Sequence, residues 1–208
     1  MTPEAILSAT TAMRLETADW LDTLSDDQLD HPSLCAGWRV REVAGHLAQA
    51  GAVSVPAMFV QVARSGFNPH RANTAFARRF GADRPQDLIR THAEKKLDLP
   101  FVGVHGQFVD LQVHGADMRV PLDAAWVPPV GYAAEALRFL EGGAIGFAPR
   151  KRVAGLRVEA TDADVAWGSG AALRGTSYDL VLALCGRRHA LSGLEGPGTD
   201  VIAAALAP

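Results

Sequence analysis

Residues Asp110 to Asp117, "DLQVHGAD", place a carboxylate at Asp110 and an imidazole at His114, four positions apart. On a helix that rises about 1.5 Å per residue, the two Cα atoms lie about 6 Å apart along the axis, on nearly one face. Such a pair suits two ligands of one divalent cation. It equally suits an ordinary polar stripe on a surface helix. Zinc takes imidazole nitrogen and carboxylate oxygen at about 2.0–2.2 Å, and its catalytic sites often combine two histidines and a carboxylate with one open position. The same donors suit Fe(II), although nothing else in the chain points to oxygen chemistry.

A third ligand has to come from a facing helix. The chain has 7 histidines. His105 precedes His114 by nine residues, about 180° round a regular helix, and so faces away. His31 falls in a turn, and His70 follows Pro69 at a helix start. His92 sits among Glu94, Lys95 and Lys96, and His189 lies beyond the helical region. His46 differs, because Val43, Leu47 and Ala50 place it on a core-facing stripe where an imidazole needs a polar partner. The candidate metal ligands are therefore His46, Asp110 and His114.

Around them, Asp117 is either an orienting partner for His114 or a surface carboxylate at the helix end. Arg119 reads as a helix-end cation. Arg187, in "CGRR", is the candidate catalytic arginine, placed to hold a substrate carboxylate bidentately. Its alternative is a solvated helix-end side chain. Cys35 has no adjacent base in the sequence and, like Cys185, reads as packing. Trp38 reads as a core anchor.

Positioning these side chains requires helices. Thr2 and Pro3 form an N-cap with proline at the first helical position, and apolar residues run on to Leu24. Ser25 and Gln28 have the spacing of a capping box. A second helix is expected from about Arg39 through "VREVAGHLAQAG". Further helices are expected over 73–80 and 86–97, and another over "VGVHGQFVDLQVHGADM", stopped by Pro121. Long helices on short loops predict an up-and-down four-helix bundle over 1–123. The composition then changes, and a small α+β domain is expected over 124–208. It opens with a linker and a short helix over 133–140. Alternation at Leu156, Val158 and Ala160 predicts a strand, and "GSG" a turn into another extended run. Thr176 then caps a helix that Gly186 stops, and a last short helix ends the chain.

The 208 residues suffice for a real core, and 48% hydrophobic with 21% charged residues excludes a disordered chain as the default. A formal charge of -3 gives no general attraction for nucleic acid or anionic lipid. No stretch is a good membrane span, and no signal-peptide pattern opens the chain. Two cysteines without a CxxC suit a reducing compartment, so a cytoplasmic location is expected.

"PSLCAGWRVREVAGHLAQ" resembles the second-helix signature of the mycothiol-dependent maleylpyruvate isomerase family, within the DinB-like bundle superfamily. "DLQVHGADMRVPL" resembles that family's later helix, and "GLRVEATDADVAWG" with "ALRGTSYDLVLALCGRRHALSGLEG" its C-terminal domain. The likeness runs from about residue 25 to the end and thins between 65 and 100. It implies a zinc-type divalent ion held by His46, Asp110 and His114, and mycothiol as thiol cosubstrate. It also implies thiol transfer to, or cis-trans isomerisation of, a small electrophilic substrate. The alternative is a non-catalytic metal- or small-molecule-binding sensor of the same fold. Asp110 stands where the family has Glu. One methylene fewer predicts a carboxylate that falls short by more than about 1 Å unless its helix moves inward, against a tolerance of about 0.2 Å.

Overall fold

The computed structural model describes residues 1–96 and 103–207. They group into two compact units, one of 2–96 with 106–126, the other of 127–207 with Met1 and 103–105.

The first unit is helical. Helix α1 (Pro3–Leu21) starts where the Thr2 hydroxyl accepts the Ala5 N–H at 3.2 Å. Its buried Ile6, Ala9, Met13 and Leu21 recur at helical spacing. The Ser25–Gln28 capping box forms and opens the single turn α2 (Asp26–Leu29). Helices α3 (Val40–Ala52), α4 (Val55–Arg64), α5 (Pro69–Gly81), α6 (Pro85–Thr91) and α7 (His105–Arg119) follow. Helix α5 begins earlier than the apolar pattern predicts, because Asn68 accepts the Arg71 N–H and Pro69 fits the first turn. Helix α6 ends earlier, and the Arg14 guanidinium takes the carbonyls of Ala93 and Lys95 beyond it, at 2.8 and 2.9 Å. Leu97, the expected end of that helix, and Val102, the expected start of the next, lie outside the described residues.

Helices α1, α3, α5 continued by α6, and α7 are the four rods of the bundle. Helix α3 packs on α5 and α6, and α6 on α1. Arg14 of α1 donates to Gln107 of α7 at 2.9 Å. The α3–α5 contact is so close that a Cβ added at Gly45 would lie 2.2 Å from the Ala77 carbonyl oxygen. Glycine is what allows the two backbones to touch.

Helix α7 is buried almost all round, Phe108, Val109, Val113 and Met118 included. A helix of this kind is a central rod, so the surface-stripe reading of Asp110 and His114 does not hold. Full burial of one such side chain stabilises the fold by about 1.5–3 kcal/mol. The α7 C-terminus follows from one residue. Pro121 has no N–H for the Asp117 carbonyl four positions earlier, and the Leu34 N–H takes that carbonyl instead, at 3.0 Å. The loop before α3 is thereby tied to the end of α7.

In the second unit, α8 (Val130–Phe139) and the single turn α9 (Arg150–Val153) precede a three-stranded sheet. Strand β1 (Leu156–Ala160) is central, antiparallel to β2 (Ala166–Gly168) and parallel to β3 (Ala171–Gly175). The "GSG" turn therefore does more than join two extended runs, because it carries the chain past the start of β1. Gly168 and Gly170, at φ +77° and +125°, make that passage, and the Ala171 N–H bonds the Gly155 carbonyl at 2.9 Å. Helix α10 (Ser177–Leu184) is capped by Thr176, and Gly186 follows its end at φ +100°. Helix α11 (Gly198–Ala205) closes the chain. Among the described residues, no helix is long and apolar enough to cross a membrane.

Candidate metal centre

Helices α3 and α7 bring His46, Asp110 and His114 together. His46 Nε2 lies 3.1 Å from one Asp110 oxygen, and His114 Nε2 lies 3.4 Å from the other. One donor atom from each residue falls within 4.8 Å of the other two, and the two rings meet edge to face with centroids 4.8 Å apart. The Asp110 carboxylate, though one methylene shorter than Glu, contacts both imidazoles.

The far edge of each ring is also engaged. Asn73 of α5 accepts from His46 Nδ1 at 2.9 Å and from the Gln49 amide nitrogen. The Asp117 carboxylate accepts from His114 Nδ1 at 2.8 Å. Each Nδ1 thus has a partner behind it, as the orienting neighbours of a metal-ligating imidazole would supply, and each Nε2 faces Asp110. The three side chains are only 13–20% exposed, enough for a small ligand to reach them and too little for bulk hydration.

Charge makes the same point. Burial alone would raise the Asp110 pKa, but His114 and His46 outweigh it and hold the carboxyl far below the usual range. Burial would lower the His114 pKa, yet Asp110, Asp117 and Cys35 raise it. No lysine or arginine among the described residues forms an ion pair with Asp110, so positive charge at this site comes from protons on the imidazoles or from a bound cation. The donor set and the charge fit a divalent ion.

Several neighbours differ from their sequence reading. Asp117 is fully buried and is no surface carboxylate, because the Pro121 stop leaves it inside the last turn of α7. Arg119 is 3% exposed and lies between the rings of Trp20 and Trp126, 4.3 and 4.7 Å from their centroids, rather than in solvent. Trp38 is half-buried and lies beside His46, with ring centroids 5.6 Å apart, so it borders the site instead of anchoring the core.

Cys35 was the residue most poorly signalled. Its thiol donates to Asp117 at 3.1 Å and lies 3.6 Å from His114 Nδ1. Nothing in the spacing of residues 35 and 114 foretells this. The lack of an N–H at Pro121, which draws the 33–39 loop to α7, was the available clue. Of the histidines set aside, His105 bonds Glu135 at 3.1 Å and His31 contacts the Pro32 carbonyl. Arg187 belongs to the other unit, where it donates to the Cys185 carbonyl at 2.7 Å. Cys185 is buried there, as a packing residue should be.

Residues 11–91 match the family model described as the mycothiol maleylpyruvate isomerase N-terminal domain. That segment contains His46 and stops short of Asp110 and His114. The chain is similar in fold to a crystal structure of the mycothiol-dependent maleylpyruvate isomerase. The TM-score is 0.52 at 14% identity, covering 96% of this chain and 94% of that one. A histidine-to-alanine mutant of that isomerase matches over the same shares, also at 14% identity, with a TM-score of 0.46. A comparison with curated proteins found no match. Over residues 11–91 the chain is thus similar to the N-terminal domain of the mycothiol maleylpyruvate isomerase family, and over its length it shares the fold of that isomerase.

Proposed function

We propose that the protein is a metal-dependent, mycothiol-dependent isomerase or S-transferase acting on a small electrophilic substrate. The observation that supports this best is the convergence of His46 Nε2, Asp110 and His114 Nε2, with each Nδ1 tied to an acceptor behind it. These three residues would hold the ion, zinc being the best fit to a nitrogen-nitrogen-oxygen set with an open position. A divalent ion there supplies the charge that turns a thiol into a thiolate near neutral pH.

The chain's residues do the rest. Asn73 and Asp117 fix the two rings, and Trp38 shields the His46 side from water. Sulfur adds to an alkene carbon conjugated with a carbonyl, forming a C–S bond and pushing the electron pair onto the carbonyl oxygen. Rotation about the bond that has become single, then expulsion of sulfur, restores the alkene in the other geometry. Protonation of the adduct before expulsion leaves a thioether, the transferase outcome.

The test is conversion of maleylpyruvate by the zinc-loaded protein with mycothiol, for the wild type, His46→Ala and His114→Ala. Thiol-dependent isomer or thioether from the wild type, lost in both variants, is the expected result. Zinc and mycothiol bound without either product would leave the sensor reading in its place.

A further inference from the structure

We infer that Cys35 Sγ, Asp117 Oδ2 and His114 Nδ1 form a second divalent-cation site, on the opposite edge of the His114 ring from the candidate metal centre. It would take borderline-to-soft ions such as Zn²⁺, Co²⁺ or Cd²⁺, as a thiolate, an imidazole and a carboxylate do, and not Mg²⁺ or Ca²⁺.

The three atoms form a triangle with sides of 3.1, 2.8 and 3.6 Å. A tetrahedral ion bound at about 2.0 Å by nitrogen and oxygen and about 2.3 Å by sulfur needs donors roughly 3.3–3.5 Å apart. Each side is therefore within about 0.5 Å of what such an ion demands. A rotation of the Cys35 side chain and a slight opening of Asp117 close the difference.

The triangle is fixed by the backbone. The Leu34 N–H holds the Asp117 carbonyl, and the Cys35 N–H donates to the Ser33 hydroxyl at 3.1 Å. That hydroxyl donates in turn to the Trp38 carbonyl at 2.8 Å. Asp117 is fully buried while Cys35 is half-buried. Without an ion, protons on Sγ and Nδ1 occupy the Asp117 oxygen. Binding a dication releases both to solvent and puts sulfur, nitrogen and oxygen on the metal. With both sites filled, His114 bridges two ions as an imidazolate. The charges on Asp110, Asp117, Cys35 and His114 then balance two dications.

Cobalt distinguishes the sites, because only thiolate ligation gives an intense near-ultraviolet sulfur-to-cobalt band. Co²⁺ is titrated into the wild type and into His46→Ala/Asp110→Ala, which disables the first site, each with and without Cys35→Ser. The band is expected in the wild type and in the double variant at one Co²⁺ per chain. It should disappear with Cys35→Ser and persist with Cys185→Ala. Cobalt bound by the wild type without the band, or a band that survives Cys35→Ser, would overturn the inference. The wild-type arm decides even where the double variant does not fold. Cobalt bound through nitrogen and oxygen alone in Cys35→Ser supports the first site whatever happens at the second, so the two fail separately.

Discussion

The two histidines face one carboxylate, yet they are held in different ways. His46 rests on neutral amides, Asn73 and Gln49, and on a helix pair whose backbones touch at Gly45. His114 rests on a buried carboxylate, Asp117, at the end of a helix stopped by proline. A carboxylate behind an imidazole raises its basicity and strengthens it as a ligand, whereas an amide mainly fixes orientation. The site thus has a strongly electrostatic side and a sterically defined one. Substitutions on the two sides should fail differently.

The largest effect is expected at the shared centre. His114→Ala should weaken zinc binding by more than about 100-fold, beyond the range of an outer partner, as read by competition with a chelator. Gly45→Ala comes next and acts on the His46 side through packing. A methyl forced against the α5 backbone should cost about 3 kcal/mol, the upper end of overpacking, seen as a lower denaturation midpoint with an unchanged m-value. Asp117→Asn should reduce zinc affinity toward the upper end of about 10–100-fold, and Asn73→Ala toward the lower end. Equal losses from these two variants, measured by the same competition, would erase the proposed asymmetry.

The smallest effect concerns Glu42, which starts the helix that carries His46. Its carboxylate accepts the Arg39 N–H at 2.7 Å and pairs with the Arg39 guanidinium at 3.0 Å. Burial pushes its pKa up, but Arg39 and Arg78 outweigh it and the net shift is downward. A lowered carboxyl pKa stabilises the fold above the ordinary carboxylate range, and that gain is lost as pH falls through the lowered value. Glu42→Gln should therefore cost about 1 kcal/mol near neutral pH and progressively less in acid, as urea unfolding at several pH values would show.

The bundle was legible in the sequence because periodicity, caps and proline stops agree along it, as at Thr2, Ser25 and Pro121. The residues His46, Asp110 and His114 were legible from helical phase and a core-facing imidazole. What escaped was determined by tertiary contact. Asp117 and Arg119 look like polar residues at a helix end, and burial appears only once the 33–39 loop and the rings of Trp20 and Trp126 close over them. Cys35 carries no local signal, because its partners lie 79 and 82 positions away. The three-stranded sheet escaped for a similar reason. Local alternation identifies strands, but only their pairing tells that the "GSG" turn carries the chain past the start of β1.

Anomalous diffraction from zinc-loaded crystals of the whole chain tests the central claim most directly. The account predicts a peak about 2.0–2.2 Å from His46 Nε2, His114 Nε2 and an Asp110 oxygen, with a non-protein ligand completing the coordination. A fully loaded protein with no peak among those three atoms, or with a fourth protein side chain closing the ion, would contradict it.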